Sequence, residues 1–149
     1  AFYWPDFDAS TQERGFFGFD KKEDVKYILI SEKGCADPSA EYSLELADGL
    51  LPLDIHTFDK DAFILENEQV HKVTLYTKEK KACLSLHFHT PVVGLWSPPA
   101  KNAPFVCIEP WYGRCDRAHY TGEYKDKDWM QHLHPDKTFK GGYTIEIEE

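Results

Sequence analysis

Short runs rich in β-branched and aromatic residues recur along the whole chain, separated by polar connectors that contain Gly or Pro. Runs of this kind predict strands, and they cover residues 25–30, 42–46, 62–65, 70–76, 82–89, 92–96, 105–109 and 143–147. The connectors, which predict turns, include residues 32–34, 37–39, 47–49, 78–81 and 97–99. This spacing of strands and turns is typical of an antiparallel β-sandwich.

Two of the predicted strands alternate strictly between their two faces. In the first, one face carries Ala82, Leu84, Leu86 and Phe88, and the other carries Cys83, Ser85, His87 and His89. The last strand sets Tyr143, Ile145 and Ile147 against Thr144, Glu146 and Glu148. A period of two is expected of packed antiparallel sheets with one wetter surface. Only residues 10–14 and 126–133 could be helical, and both are too short for a stable helix, so we expect a single all-β domain.

The 105–109 strand is of special interest because it carries a single acid, Glu109, into a Pro-Trp-Tyr-Gly turn. Alternation places Glu109 on the face of Cys107, and Pro110, which has no N–H to donate, is expected to end the ladder. A carboxylate there is costly unless it is paired, hydrogen-bonded or open to a wet pocket. The adjoining Trp111 offers a flat apolar wall, which suits the C–H face of a sugar. A salt bridge at the strand end beside core aromatics would give the same pattern.

The composition limits the classes of function. The 17 basic and 26 acidic residues give a net charge of −9, which opposes binding to nucleic acid or to an anionic membrane. No run approaches the roughly 18 consecutive apolar residues that indicate a membrane-spanning helix. A chain of 149 residues that is 42% hydrophobic can bury one respectable core.

The cysteines indicate the cellular compartment of the protein, and the first residues indicate whether the chain is processed. Cys35, Cys83, Cys107 and Cys115 are irregularly spaced and form no Cys-x-x-Cys motif. They indicate neither a zinc knuckle nor a disulfide framework, so we expect free thiols in a cytoplasmic protein. The chain opens with Ala-Phe-Tyr-Trp-Pro rather than Met, without an apolar run suited to a signal peptide. We therefore expect a fragment or a processed chain.

His87 and His89 raise the question of a metal, because residues two apart on a strand point the same way. A jelly-roll metal site needs a glutamate a few residues later and a third histidine, whereas His89 is followed by Thr-Pro-Val-Val-Gly. We therefore predict no metal site and keep a metal-dependent jelly roll as the weakest hypothesis.

The segment Phe-Val-Cys-Ile-Glu-Pro-Trp-Tyr-Gly, residues 105–113, resembles the late signature of the aldose 1-epimerases, the galactose mutarotase family, and in particular its LacX-like branch. The resemblance continues at Asp116, Gly122, Lys127, Leu133, Pro135, Phe139 and the closing Tyr-Thr-Ile-Glu-Ile. Upstream it includes Val93-Gly94-Leu95-Trp96 and Phe58-Asp59-Lys60-Asp61-Ala62. It implies a large antiparallel β-sandwich, of which residues 1–149 are a single partial domain, the C-terminal half.

The same resemblance implies an isomerase that interconverts the α and β anomers of a hexose, galactose or glucose, with neither metal nor nucleotide as cofactor. Ring opening needs a base for the anomeric hydroxyl and an acid for the ring oxygen. By resemblance, Glu109 is the general base and Asp61 holds sugar hydroxyls, although Asp61 is equally compatible with a solvated turn. Trp111 is expected to stack on the sugar, unless it merely fills the core.

One departure from the family pattern limits this hypothesis. The family's acid is a histidine in a Gly-x-His-Pro-Ala-Phe motif, and this chain begins with Ala1-Phe2. We therefore expect the acid histidine to lie just before residue 1, and activity to need the missing N-terminal half or a companion chain. The alternative is a non-catalytic carbohydrate-binding β-sandwich that keeps the aromatic pocket.

Overall fold

The computed structural model describes all 149 residues and is built almost entirely from antiparallel strands. The strands are β1 (Phe2–Tyr3), β2 (Glu13–Phe19), β3 (Lys26–Ile30), β4 (Ala36–Ser43), β5 (Leu50–Asp54), β6 (Phe63–Leu65), β7 (Lys72–Tyr76), β8 (Ala82–Phe88), β9 (Val92–Trp96), β10 (Phe105–Trp111) and β11 (Tyr143–Ile147). The helical segments are two 3-10 turns, Glu32–Gly34 and Tyr124–Asp126. No helix here has the length and apolar character needed to cross a membrane.

The strands form two sheets that enclose one main core. One sheet has six strands in the order β1-β10-β9-β6-β3-β4, and the other has five in the order β11-β8-β7-β2-β5. Alternate side chains from both sheets, such as Val73 and Leu75 of β7 and Val93 and Leu95 of β9, meet in a cluster of 19 buried residues. Burial of this apolar surface is the main force that holds the sheets together. The predicted all-β antiparallel sandwich is therefore confirmed.

Two strands that the sequence pattern did not predict, β2 and β5, pair with each other in the five-stranded sheet. The glycines of β2 read as turn signals, but each permits a close contact. A Cβ on Gly18 would lie 2.7 Å from the Tyr76 ring, and Gly15 adopts a φ of +106° where the β2–β5 register shifts. These glycines therefore belong to a bulged strand rather than to a loop.

The proline-based boundaries were wrong at two places, and the reason is the same in both. Residues 37–39, predicted to be a turn, lie inside β4, and β10 continues through Pro110 to Trp111. β4 is an edge strand, and β1 pairs with β10 only at Phe105 and Val106, so β10 has an open side at Pro110. A strand can hold a proline where the missing N–H faces no partner.

Candidate functional site

The outer face of the six-stranded sheet carries Glu109 at the end of a row of paired residues. Ile64 on β6 lies opposite Gly94 on β9, and Gly94 lies opposite Glu109 on β10. Cys107 and Trp111 are two residues away from Glu109 on the same strand and therefore share its face. Val106 and Ile108 point to the opposite face of β10 and are buried in the main core. This agrees with the predicted placement of Cys107 and Glu109 on one face.

Trp111 lies across the sheet and reaches Glu109. Its indole Nε1 donates a hydrogen bond to Glu109 Oε2 at 3.2 Å. A Cβ on Gly94 would lie 2.5 Å from Cζ2 of the Trp111 ring, so the indole occupies the space above this glycine. Gly94 therefore makes room for Trp111 on the face of Glu109. This contact exists because β10 continues beyond Pro110. Side chains alternate between the two faces of a strand, so Trp111 lies on the same face as Glu109.

Beneath these residues lies a small apolar cluster, separate from the main core. Its buried members are Ile28, Ala36, Ala62, Ile64 and Val92. The side chains packed against it are Ile30, Trp96, Trp111 and Trp129, all half-buried. The outer face of this sheet is thus an aromatic and aliphatic surface with the Glu109 carboxylate at its border. Such a surface can pack against the apolar face of a ligand while the carboxylate accepts a hydrogen bond.

A buried ion-pair network, which the sequence pattern did not identify, supports the end of β10. The Arg114 side chain is only 1% exposed, and it donates hydrogen bonds to Glu66 and, at 2.6 Å, to Asp128. Trp129 Nε1 donates to Glu66 Oε1 at 2.7 Å. Arg117 completes the network on Asp128. Because Glu66 and Arg114 are 48 positions apart, no local motif marks the pair.

The electrostatic effect of this network is clearest at Asp128. Hydrogen bonding from Arg117 holds the pKa of Asp128 below its usual range, with a further contribution from Arg114, and burial opposes the shift. Arg114 and Arg117 are therefore both engaged by carboxylates, and Lys127 pairs with Asp116.

Glu109 itself forms no ion pair within the chain, and its carboxylate accepts a hydrogen bond from Trp111. The salt-bridge explanation of this acid is therefore not the arrangement found. The neighbouring Cys107 is buried, and burial raises the pKa of its thiol, with a further rise from the Glu109 carboxylate.

Asp61 lies just before β6 and forms no hydrogen bond with Glu109. Its Oδ1 accepts a hydrogen bond from the backbone N–H of Ala62 at 2.7 Å, and its φ of +77° belongs to the left-handed region. The residue is exposed, and Ala62 joins the apolar cluster under Trp111. Its other oxygen, Oδ2, has no partner in the chain. The assignment of Asp61 to sugar hydroxyls stays a prediction.

None of the seven histidines has Glu109 as a hydrogen-bonding or ion-pair partner. His56 pairs with Asp59, His87 with Glu146, and His119 with Glu32. The rings of His71 and His89 are tilted by 41° with their centroids 5.0 Å apart, and His132 and His134 are exposed. No group of three or more His, Cys, Asp or Glu side chains is arranged to hold a metal ion, and all four cysteines are unpaired.

The chain was compared with known proteins by sequence and by fold. No family model matches it. It is 32% identical over 98 residues to the plasmid and chromosomal LacX proteins of Lactococcus lactis subsp. lactis, a match that covers 65% of this chain and 32% of LacX. The chain therefore matches about a third of the length of these curated relatives.

The fold comparison covers nearly the whole chain. A galactose mutarotase related enzyme from Lactobacillus acidophilus superposes with a TM-score of 0.84 and 28% identity, over 99% of this chain and 49% of that one. A galactose mutarotase-like protein from Lactobacillus casei ATCC 334 gives 0.71 and 21% identity over 89% of this chain and 45% of that one, a likeness of fold alone. The chain spans about half the length of both. These similarities confirm the resemblance to the galactose mutarotase family and the galactose mutarotase-like fold.

Proposed function

We propose that the chain binds a hexose on the outer face of its six-stranded sheet and takes part in the interconversion of the sugar's α and β anomers. The observation that carries this proposal is the state of Glu109, an acid on an open sheet face that forms no ion pair within the chain and accepts an indole N–H on one oxygen. A structural carboxylate in such a place would be expected to have a cationic partner. The mutarotase-related names of its solved relatives support the same reaction class.

Glu109 acts as the general base in this proposal. The Trp111 hydrogen bond holds Oε2 and leaves Oε1 free to take the proton of the anomeric hydroxyl. Trp111 also presents a flat indole surface for the C–H face of the sugar. Asp61, whose Oδ2 is free, accepts hydrogen bonds from other hydroxyls, because a charged acceptor can take two of them.

The ligand is a neutral sugar, galactose or glucose, rather than a phosphorylated one. A phosphate would need a free arginine or lysine close to the site. Arg114 is buried and bound to Glu66 and Asp128, and Arg117 is bound to Asp128. The net charge of −9 also disfavours an anionic ligand.

The general acid is a histidine carried by a strand segment that extends β1 along the open edge of β10. β1 and β10 are antiparallel, with Phe2 opposite Val106. Continued in this register, Ala1 faces Cys107, and the residue two positions before Ala1 faces Glu109. Residues directly opposite in such a pair have Cβ atoms about 5 Å apart on one face. A base and an acid placed in this way can act on the anomeric hydroxyl and on the ring oxygen of one hemiacetal.

A non-catalytic carbohydrate-binding domain is the second candidate, and one observation favours it. None of the seven histidines of the chain is in contact with Glu109. With the carboxylate and the indole alone, the surface could bind a sugar without opening its ring.

Anomer exchange of galactose and glucose, followed by magnetisation-transfer NMR, tests the proposal. The chain extended by His-Pro before Ala1, which supplies the proposed acid, is compared with the same extended chain carrying Glu109→Gln or Glu79→Gln, the second of which changes an exposed acid in the β7–β8 turn. We expect exchange above the buffer rate in the extended chain and in its Glu79→Gln variant, and none in its Glu109→Gln variant. Sugar binding without exchange in all three would support the binding domain instead. Neither binding nor exchange would contradict both functions.

A further inference from the structure

A parallel bridge joins the first residue of β4 to the loop that follows β10. Ala36 pairs with Arg117 in this bridge. The Ala36 N–H donates a hydrogen bond to the Asp116 carbonyl at 2.8 Å, and the Ala118 N–H donates to the Ala36 carbonyl at 2.9 Å. The side chain of Ala36 is fully buried. Two backbone hydrogen bonds and a buried side chain therefore hold this loop against the edge of the sheet.

The bridge brings two cysteines next to each other. Its register sets Cys35 opposite Asp116, so Cys115 lies one strand spacing across from Cys35 and one residue along. With about 4.8 Å between strands and about 3.3 Å per residue, their Cα atoms are roughly 6 Å apart. Disulfide-bonded cysteines most often have Cα atoms about 5.5–6 Å apart. The backbone thus holds these two residues at a separation that a disulfide can span.

The two cysteines differ in their access to solvent. Cys115 is exposed and Cys35 is half-buried, so a reagent from solution reaches Cys115 first. Although Cys115 as a whole is exposed, partial burial raises the pKa of its thiol; the Ala36 N–H opposes this rise, and the Cys35 thiol adds to it. The thiolate is the reactive form, so we expect reaction at Cys115 to speed up as the pH rises. The remaining cysteines, Cys83 on β8 and Cys107 on β10, lie in different sheets.

We propose that Cys35 and Cys115 form a reversible redox site whose reaction partner is a small disulfide such as oxidised glutathione. The Cys115 thiolate attacks one sulfur of that disulfide, forms a mixed disulfide and releases one thiolate. The Cys35 thiolate then attacks the Cys115 sulfur, which joins the two cysteines and releases the second thiolate. The two cysteines are oxidised, the small disulfide is reduced to two thiols, and the protons of the cysteines pass to the released thiolates.

The new bond ties β4 to the loop that carries the buried ion pairs. Arg114 directly precedes Cys115, donates to its carbonyl at 3.0 Å, and holds Glu66 and Asp128. A cross-link that fits the native backbone stabilises the fold by restricting the unfolded chain. The redox state of the surrounding small thiols thereby sets how firmly this loop is held.

The test treats the full chain with oxidised glutathione at about pH 8.5, near the ordinary pKa of a thiol. Alkylation and peptide mass spectrometry then identify the cysteines that are joined. We expect the Cys35–Cys115 disulfide to exceed the glutathione adduct of Cys115 by about tenfold or more, because the second thiol reacts within the same molecule. Dithiothreitol should reverse the reaction. In Cys35→Ser the adduct of Cys115 should accumulate instead, and the control Cys83→Ser should behave as the parent chain does.

Urea unfolding supplies the second readout. The oxidised parent chain should unfold at a higher urea concentration than the reduced one, and Cys35→Ser should show no such rise. Three results would overturn the inference: adducts at both cysteines without a bond between them, a bond that forms as readily in the urea-unfolded chain, or an oxidised chain that unfolds at lower urea. None of these readouts depends on Glu109, so they are independent of the proposed sugar chemistry.

Discussion

The indole Nε1 of Trp111 donates a hydrogen bond to Oε2 of Glu109 at 3.2 Å. The two residues are two positions apart on β10, a strand that holds Pro110 between them. The contact exists because the strand does not end at the proline and because Gly94 leaves space for the ring. In the proposed function, Trp111 is thus a positioning residue for Glu109 as well as an apolar wall for the sugar.

Replacement of Trp111 by Phe should keep an apolar ring but remove the donor to Glu109. In the chain extended by His-Pro before Ala1, we expect anomer exchange to fall about tenfold, since a hydrogen bond to a charged group is worth about 1.5 kcal/mol or more. The control is Trp129→Phe, which removes the indole donor to Glu66 instead. An exchange rate in Trp111→Phe equal to that of the control would show that the donor does not position Glu109.

Substitution of Gly94 by Ala should displace the Trp111 ring, because the new Cβ would lie 2.5 Å from it. Overpacking of this kind costs about 1–3 kcal/mol of stability. Urea unfolding measures that cost, and the indole N–H resonance of Trp111 reports the loss of its hydrogen bond. Gly142→Ala, where a Cβ meets nothing within 4 Å, is the control. An unchanged Trp111 resonance in Gly94→Ala would refute the proposed role of Gly94.

Asp61→Asn should weaken sugar binding about tenfold, since a charged acceptor is replaced by a neutral amide. Asparagine tolerates the left-handed backbone at this position, so stability should change little. The control, Asp59→Asn, changes an acid two residues earlier that pairs with His56. NMR titration with galactose gives both dissociation constants, and equal values for the two variants would remove Asp61 from the site.

Asp128→Asn should lower the free energy of unfolding by about 3 kcal/mol at neutral pH, because Arg114 is buried and loses a partner. The pKa of Asp128 is lowered in the folded state, chiefly by Arg117. Its stabilising effect is therefore complete above the ordinary carboxyl pKa of about 3.9 and is lost as the pH falls through the lower folded value. Urea unfolding from pH 7 downward should show the difference from the parent chain shrink in that acidic range.

The control for this pH dependence is Asp126→Asn, since Asp126 forms no ion pair and is exposed. Its unfolding curve should follow that of the parent chain at every pH. A constant difference between Asp128→Asn and the parent down to the lowest pH would contradict the ionised state of Asp128 as the source of stability.

Much of the fold could be predicted from local pattern. β9 was predicted with its observed bounds, because Val92 to Trp96 is a continuous apolar run between turn signals. β2 was missed because Gly15 and Gly18 signal turns, although tertiary contacts with β7 require them. The two wrong proline boundaries have a related cause, since a sequence does not say which strand lies at an edge.

The candidate site was only partly predictable, because local sequence does not show which strands pair. Glu109 and Trp111 are two positions apart in the sequence, so the sequence alone predicted an acid beside an aromatic side chain. The sequence marked Gly94 only as part of the resemblance to the family. Its position beneath Trp111 results from the pairing of β9 with β10. Arg114, Glu66 and Trp129 are brought together by the fold from distant positions, and no spacing rule links them.

The central claim is that Glu109 is one member of an acid–base pair whose other member sits opposite it on the strand that continues β1. The most direct measurement is anomer exchange of galactose by magnetisation-transfer NMR on the chain extended by His-Pro before Ala1, beside the same chain extended by Gln-Pro. Exchange well above the buffer rate with His-Pro, little with Gln-Pro, and none when Glu109→Gln is added to the His-Pro chain is the predicted result. Equal exchange in the His-Pro and Gln-Pro chains would contradict the claim.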